Sequence, residues 1–169
     1  MQLRNEHHYN MNLHMARLYA TARQNIPSHT DLVWSVEDDI EPTPDAIKHL
    51  FFGLIRDWSA DVVAGVVTDR FTGRILAWTA MPNVELTQEE VAEQAPPGTN
   101  LPVYGTGFGC TLFRRSFWES IAFRPSYTWS DQYSAYDWAA AYEAKRQGRK
   151  WLLCGAVRCK HWQENGRHL

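Results

Sequence analysis

Three consecutive acidic residues, Glu37, Asp38 and Asp39, directly follow a short apolar run over residues 32–36. The run is rich in β-forming residues and ends abruptly, as a buried strand does at the polar edge of a sheet. Side chains alternate along extended chain, so Glu37 and Asp39 are expected on one side and Asp38 on the other. Hard divalent cations prefer such oxygen ligands, and a cation held there would neutralise a diphosphate. The alternative interpretation is a solvated loop start or a group of helix-capping acids.

A further candidate acid, Asp137, lies at the start of a helix predicted over residues 135–147. The helix dipole and capping stabilise a carboxylate there even when it has no catalytic role. In a cleft, Asp137 would instead act as a general base that removes a proton from an attacking hydroxyl. Asp131, in the aromatic loop before the helix, is the rival candidate for that role.

His161 follows an apolar run near the end of the sequence. A single histidine in that position is ordinarily a half-exposed residue bonded to a carbonyl. Cys159 lies two residues earlier, but the paired Cys and His spacing of a structural zinc site is missing. A role for His161 as a metal ligand therefore depends on other residues that meet it in the fold.

The segment from Gly105 to Gly109 contains three glycines and precedes an apolar run. A dinucleotide-binding loop follows a strand and opens a helix, so this segment does not fit that fingerprint. The glycines, Gly107 among them, are expected to let the backbone approach a substrate or pass beside a metal site.

Alternating helix and strand patterns along the chain predict an α/β fold. Helices are expected over residues 9–23, 116–121 and 135–147, and also after Thr43, which is predicted to cap a helix whose inner face carries Ile47, Leu50, Phe51, Leu54 and Ile55. Strands are expected over residues 32–36, 61–68 and 151–157. Residues 81–102 contain the breaker Pro96-Pro97-Gly98 and are predicted to form a surface excursion, with or without one helical turn.

The composition indicates an ordinary globular protein. The 169 residues suit one domain, and the content of apolar residues, 44%, is high enough to bury a core. A formal net charge of −2 offers no broad cationic surface, which argues against nucleic acid as the main partner. The sequence contains neither an apolar stretch long enough to span a bilayer nor a secretory signal, so a cytoplasmic location is expected. The three cysteines form no disulfide framework and are interpreted as reduced thiols.

Taken together, the ordered motifs resemble the inverting family 2 glycosyltransferases and their GT-A-fold relatives. VEDDIEPTPDAI resembles the strand, metal motif and proline-marked helix of that family. YGTGFGCTLFRRSFWESI resembles its acceptor segment, and YDWAAAYEAKRQGRKWLLCGAVRCKH its acid-bearing helix, strand and late histidine. The resemblance covers nearly all of this chain but only the latter part of the family domain.

The resemblance implies a GT-A-like, Rossmann-like mixed sheet flanked by helices over residues 1–169, with a nucleotide-diphospho-sugar donor and a carbohydrate or other hydroxyl acceptor. Mn²⁺ or Mg²⁺ would be held by Asp39 and His161 with help from Glu37, and the donor would contact Glu37, Asp38 and Asp39. Asp137 would be the catalytic base, and Gly107, Trp129 and Tyr136 are the expected substrate contacts. Trp129 could equally fill the core.

Two departures from the family pattern are visible. Tyr136 replaces the first of the two acids that usually precede the base helix, so donor or acceptor handling is expected to differ. The family's opening strand and helix, which hold the nucleotide base, have no counterpart, so a sheet edge is expected to be exposed. Either a partner chain or a second copy would then cover that edge, or this chain is a fragment of a longer protein.

Two other functions remain open from the sequence. A catalytically silent binding or assembly module would keep the fold without a complete donor site, and the missing opening unit favours it. A metal-dependent phosphoesterase would share the acids, but the sequence contains too few histidines at ligand spacing for that class.

Overall fold

The computed structural model describes residues 2–69, 72–80, 84–123, 126–127, 133–134 and 136–162, with backbone alone for residues 2–12, 126–127 and 133–134. It confirms the predicted α/β class, because a mixed sheet is flanked by helices. The helices are α1 (Gln2–Gln24), α2 (Ala46–Arg56), α3 (Gln88–Gln94), α4 (Arg115–Ser120) and α5 (Tyr136–Arg146). The strands are β1 (Leu32–Val36), β2 (Ile40–Glu41), β3 (Ala60–Val67), β4 (Ala77–Trp78), β5 (Asn100–Val103), β6 (Gly105–Thr106), β7 (Cys110–Arg114), β8 (Ser126–Tyr127), β9 (Tyr133–Ser134) and β10 (Lys150–His161).

The strand directions explain where polar residues gather. In the described part of the chain the main sheet has the order β1-β7-β3-β10-β2, and β5 pairs with the first half of β10. β7 is antiparallel to both β1 and β3, and β3 is parallel to β10. The carboxyl ends of β1, β3 and β10 therefore lie at one edge of the sheet, together with the start of β7. We call this the site edge, because open α/β sheets bind their ligands at the carboxyl ends of their strands.

Apolar side chains cover both faces of the sheet. On one face α1, α4 and α5 enclose an aromatic cluster that includes Phe108, Phe113, Phe117, Trp118 and Trp151. On the other face α2 packs its buried Ala46, Leu50 and Leu54 against residues such as Val63 and Leu112. Helix packing thus fixes the sheet from both sides.

Several local predictions were wrong. Thr43 does not cap α2: Asp45 is the cap residue and makes no side-chain cap bond, while the carbonyl of Thr43 accepts from the amide of Ala46. Ile47 and Phe51 are exposed, because the buried stripe of α2 passes through Ala46, Leu50, Gly53 and Leu54 instead. The segment 81–102 is more than a surface excursion with one helical turn, because α3 has 7 residues with a complete capping box at Thr87 and Glu90, and β5 belongs to the main sheet.

The first helix is longer than predicted, with 23 residues. That length would span a bilayer, but the helix is strongly polar. Within the described residues, no helix combines the length and the apolar character that crossing a membrane requires. Cys110, Cys154 and Cys159 are all buried free thiols, in agreement with the interpretation as reduced cysteines.

Candidate functional site

Asp39 and His161 are in contact at the site edge, although 122 residues separate them. β2 pairs with the end of β10 so that Ile40 lies opposite His161, which places the preceding residue, Asp39, beside the imidazole. His161 Nε2 lies 3.2 Å from Asp39 Oδ2. The amide of Trp162 donates to the carbonyl of Asp39 at 2.8 Å, which holds the two chain segments together. Backbone pairing, and not only the side chains, therefore creates this contact.

The orientation of the His161 ring is set by the end of β3. Nδ1 lies 2.7 Å from the carbonyl oxygen of Thr68 in a buried contact. A carbonyl only accepts hydrogen bonds, so Nδ1 carries a proton and donates it. In the neutral ring, Nε2 then directs a lone pair at the carboxylate of Asp39. The lone pair and the carboxylate repel each other unless a proton or a metal cation lies between them. Histidine metal ligands usually have the other ring nitrogen bonded to a carbonyl or carboxylate, as Nδ1 is here.

Glu37 is held by two tyrosines. The hydroxyl of Tyr136 donates to Glu37 Oε1 at 2.7 Å, and the hydroxyl of Tyr19 lies 3.3 Å from the same oxygen and 2.9 Å from Ser35 Oγ. Burial raises the pKa of Glu37, and the bond from Tyr136 opposes that rise. Glu37 thus has a fixed orientation in a partly desolvated position.

The predicted metal ligands Asp39, His161 and Glu37 lie near one another, and their role as ligands stays a prediction. Among the residues that the structure describes, no cluster of three or more His, Cys, Asp or Glu side chains is arranged to hold a metal ion. The structure brings Asp39 and His161 together and turns one oxygen of Glu37 toward the tyrosines. Asp38 is exposed beside them.

Asp137 lies in the first turn of α5, close to Glu37. Its Oδ1 accepts from the amide of Trp138 at 2.7 Å. Burial raises the pKa of Asp137 to about 7, and the nearby charge of Glu37 contributes to the rise. Such a carboxyl exchanges protons near neutral pH, as a general base must.

The glycine segment separates these two carboxylates. A Cβ built on Gly107 would lie 3.6 Å from Asp137 Oδ2, and one built on Gly109 would lie 3.4 Å from Glu37 Oε2. A Cβ on Gly105 would lie 2.3 Å from the Cβ of Ala141, so only glycine allows α5 to approach β6 this closely. This close packing of α5 explains why position 105 requires glycine, and it also positions Asp137. The sequence did not indicate the packing.

A cleft of about 520 Å³ lies beside this site, between α1 and β1. Its lining is mainly apolar and includes Leu18, Tyr19, Trp34 and Val36, with Glu37 at one end. The Glu37 amide donates to the carbonyl of Gly109, just before β7. In an antiparallel pair every second residue directs its backbone N–H and C=O groups at the partner strand, so Trp34 and Val36, which lie between those residues, direct theirs away from β7. No other strand in the described part of the chain pairs with this edge of β1.

The remaining predicted site residues have different outcomes. Asp131 and Trp129 lie outside the described residues. Tyr136 is buried and directs its hydroxyl to Glu37, so it contacts the acid and not an open surface. Tyr19 and the carbonyl of Thr68 are site groups that the sequence analysis missed. Neither carries a motif, and only the folded arrangement of α1 and β3 reveals them.

Comparison with known proteins supports the fold alone. No protein-family model matches the chain, and no curated protein matches it by sequence. Among solved structures, the chain is similar to A197 from STIV, with a TM-score of 0.61 and 13% sequence identity. That similarity covers 94% of this chain and 74% of A197. The shared architecture therefore extends over nearly all of the chain.

Proposed function

We propose that this chain is the metal-binding and catalytic part of a GT-A-like glycosyltransferase. It would transfer a sugar from a nucleotide-diphospho-sugar to an acceptor hydroxyl, with inversion. The contact between Asp39 and His161 at the carboxyl edge of the sheet carries the proposal, because it joins the two residues that the family resemblance pairs as ligands. The mixed sheet flanked by helices is compatible with this fold family.

Asp39 and His161 fit a divalent cation, Mn²⁺ or Mg²⁺. His161 Nε2 and Asp39 Oδ2 face each other, and the bond from Nδ1 to Thr68 keeps Nε2 directed at that carboxylate. Two protein ligands leave other coordination positions for diphosphate oxygens and water, as in many Mg²⁺ sites. The cation would neutralise the negative charge that develops on the leaving diphosphate. Glu37 and Asp38 would contact the donor beside it.

Asp137 is the proposed base. Its pKa near 7 allows it to accept the proton of the acceptor hydroxyl at neutral pH while the oxygen attacks the anomeric carbon. The adjoining Gly107 has no side chain to fill the space in front of this carboxylate. The predicted contributions of Asp131 and Trp129 remain part of the proposal, as does the cytoplasmic location.

A partner is proposed for the unpaired edge of β1. Trp34 and Val36 are exposed there and their outward backbone groups can pair with another strand. A partner chain or a second copy of the chain would cover this edge and the adjacent cleft, and would complete the donor site.

Release of nucleoside diphosphate from a panel of nucleotide-sugars, measured with Mn²⁺ and a mixture of hydroxyl acceptors, tests the proposal. Asp39→Ala and Asp137→Ala should abolish turnover, whereas Asp45→Ala, at an exposed aspartate that makes no side-chain cap bond, should not affect it. Turnover that survives both site substitutions would refute the assignment.

The second candidate function is a catalytically silent binding module. The unpaired edge of β1 favours it, because that side of the donor site has no further strand in the described part of the chain. Such a module would bind a nucleoside diphosphate with Mn²⁺ in an Asp39-dependent manner but release no product. Calorimetric titration alongside the turnover assay separates the two functions.

A further inference from the structure

The outer face of α2 is unusually apolar for an exposed helix. Ile47 is 41% exposed, Phe51 43%, Phe52 38%, and Trp58, just after the helix, 75%. The three helix residues are thus partly exposed, and α2 packs against the core with a different stripe. Exposed large apolar side chains that occur singly need no explanation, but a contiguous group of them indicates an interaction site.

Helical spacing arranges these residues in two adjacent rows. Ile47, Phe51 and Ile55 follow one another at intervals of four, so they lie along one line of the surface. Lys48, Phe52 and Arg56 form the neighbouring line, with an aromatic ring between two cations. The rings of Phe51 and Phe52 have centroids 6.4 Å apart, so the two rows meet as one surface.

The charges on this surface are of one sign. The helix contains no Asp or Glu, and its ionisable residues are Lys48, His49 and Arg56. Within the described part of the chain, neither Lys48 nor Arg56 forms an ion pair, whereas Asp57, just beyond the helix, is paired with Lys150. Asp45 is the acidic residue that flanks the other end. An occupant with negative charge beside apolar groups would complement the surface.

Trp58 adds a protruding ring at the end of the apolar row. The guanidinium of Arg114 lies 5.6 Å from the centroid of its ring, and that arginine is anchored by bonds to the carbonyls of Leu54 and Ala60. The contact orients an aromatic side chain that is otherwise surrounded by solvent. Tryptophan rings in such positions favour the boundary between lipid headgroups and acyl chains.

We propose that Ile47, Phe51, Phe52 and Trp58 rest on the surface of an anionic lipid bilayer, with Lys48 and Arg56 contacting the headgroups. A bilayer offers a negative layer directly above an apolar layer, which matches a helix with cations and aromatic rings in adjacent rows. The helix would lie parallel to the membrane plane. This surface is formed by residues other than Asp39, His161 and Asp137, so the inference does not depend on the proposed reaction.

Vesicle co-sedimentation of the full chain tests this inference. Binding should be stronger to vesicles of phosphatidylcholine with 30% phosphatidylglycerol, on the order of tenfold, than to phosphatidylcholine alone. Phe51→Gln with Phe52→Gln should weaken it by about tenfold or more, since two partly inserted rings are lost. Lys48→Glu with Arg56→Glu should remove the preference for anionic lipid.

Val84→Ser is the matched control, because Val84 is an exposed apolar residue that does not belong to α2, and its loss should leave vesicle binding unchanged. Circular dichroism verifies that each variant is folded. Absence of binding to anionic vesicles, or equal binding by the double phenylalanine variant, would overturn the inference. The inference would also be overturned if the wild type bound no vesicles but formed a dimer in light scattering, and the double phenylalanine variant abolished that dimer. The surface would then fit a second copy of the chain.

Discussion

Replacement of Asp137 by asparagine should stabilise the protein while removing the proposed activity. The carboxyl has its pKa raised from 3.8 to about 7 by burial, so the folded protein binds its proton more tightly than the unfolded chain does. The free energy of unfolding therefore decreases as the pH rises from about 4 to about 7, through the contribution of this group. The full pKa difference corresponds to about 4 kcal/mol of stability that is lost once the pH exceeds about 7.

Urea denaturation of wild type and Asp137→Asn at pH 5 and pH 8, with a chelator present, measures this effect. The asparagine keeps an oxygen that can accept from the Trp138 amide, so the local hydrogen bond is retained. The stability gained by the variant should be greater at pH 8 than at pH 5 by about 2 kcal/mol. Asp45→Asn, at an exposed site, should change stability by less than about 0.5 kcal/mol at both pH values. An Asp137→Asn variant that is less stable than wild type at pH 8 would refute the account of a desolvated carboxylate.

Three further outcomes follow from contacts within the fold. Transfer activity should rise with pH through about 7, because Asp137 must lose its proton to act as a base, and a rate that falls over this range would contradict the role. Tyr136→Phe should raise the pKa of Glu37 and cost about 1 to 3 kcal/mol in urea denaturation, since the phenylalanine keeps the ring packing and removes only the hydroxyl; an unchanged stability would mean that this hydrogen bond contributes little. Gly155→Ala should cost about 3 kcal/mol or more, because its Cβ would lie 1.8 Å from the carbonyl oxygen of Ala95, and a stable variant would show that this close approach is not required.

The strand ends were predictable because they depend on local pattern. An apolar run that stops at charged residues predicts both β1 and the position of Glu37, Asp38 and Asp39. The parallel arrangement of β1, β3 and β10 then places His161 at the same edge as Asp39. The structure brings these two residues together, and their role in binding a metal stays a prediction.

Other features depend on tertiary contacts that a local pattern does not contain. Tyr19 lies in a segment that was predicted only as a helix, yet its hydroxyl reaches Glu37 and Ser35 because α1 lies beside the end of β1. Ile47 and Phe51 fit an inner stripe equally well by spacing, and the packing of Leu50 and Leu54 decided which side is buried. The clash that a side chain at Gly105 would meet depends on where α5 packs.

The most direct test of the central claim is pulsed electron paramagnetic resonance of Mn²⁺ bound to the purified protein with a nucleoside diphosphate. If Asp39 and His161 share one cation, the spectrum should contain the modulation of a directly coordinated imidazole nitrogen, and His161→Gln should remove it. Absence of nitrogen modulation in the wild type, or modulation that persists in His161→Gln, would contradict the claim.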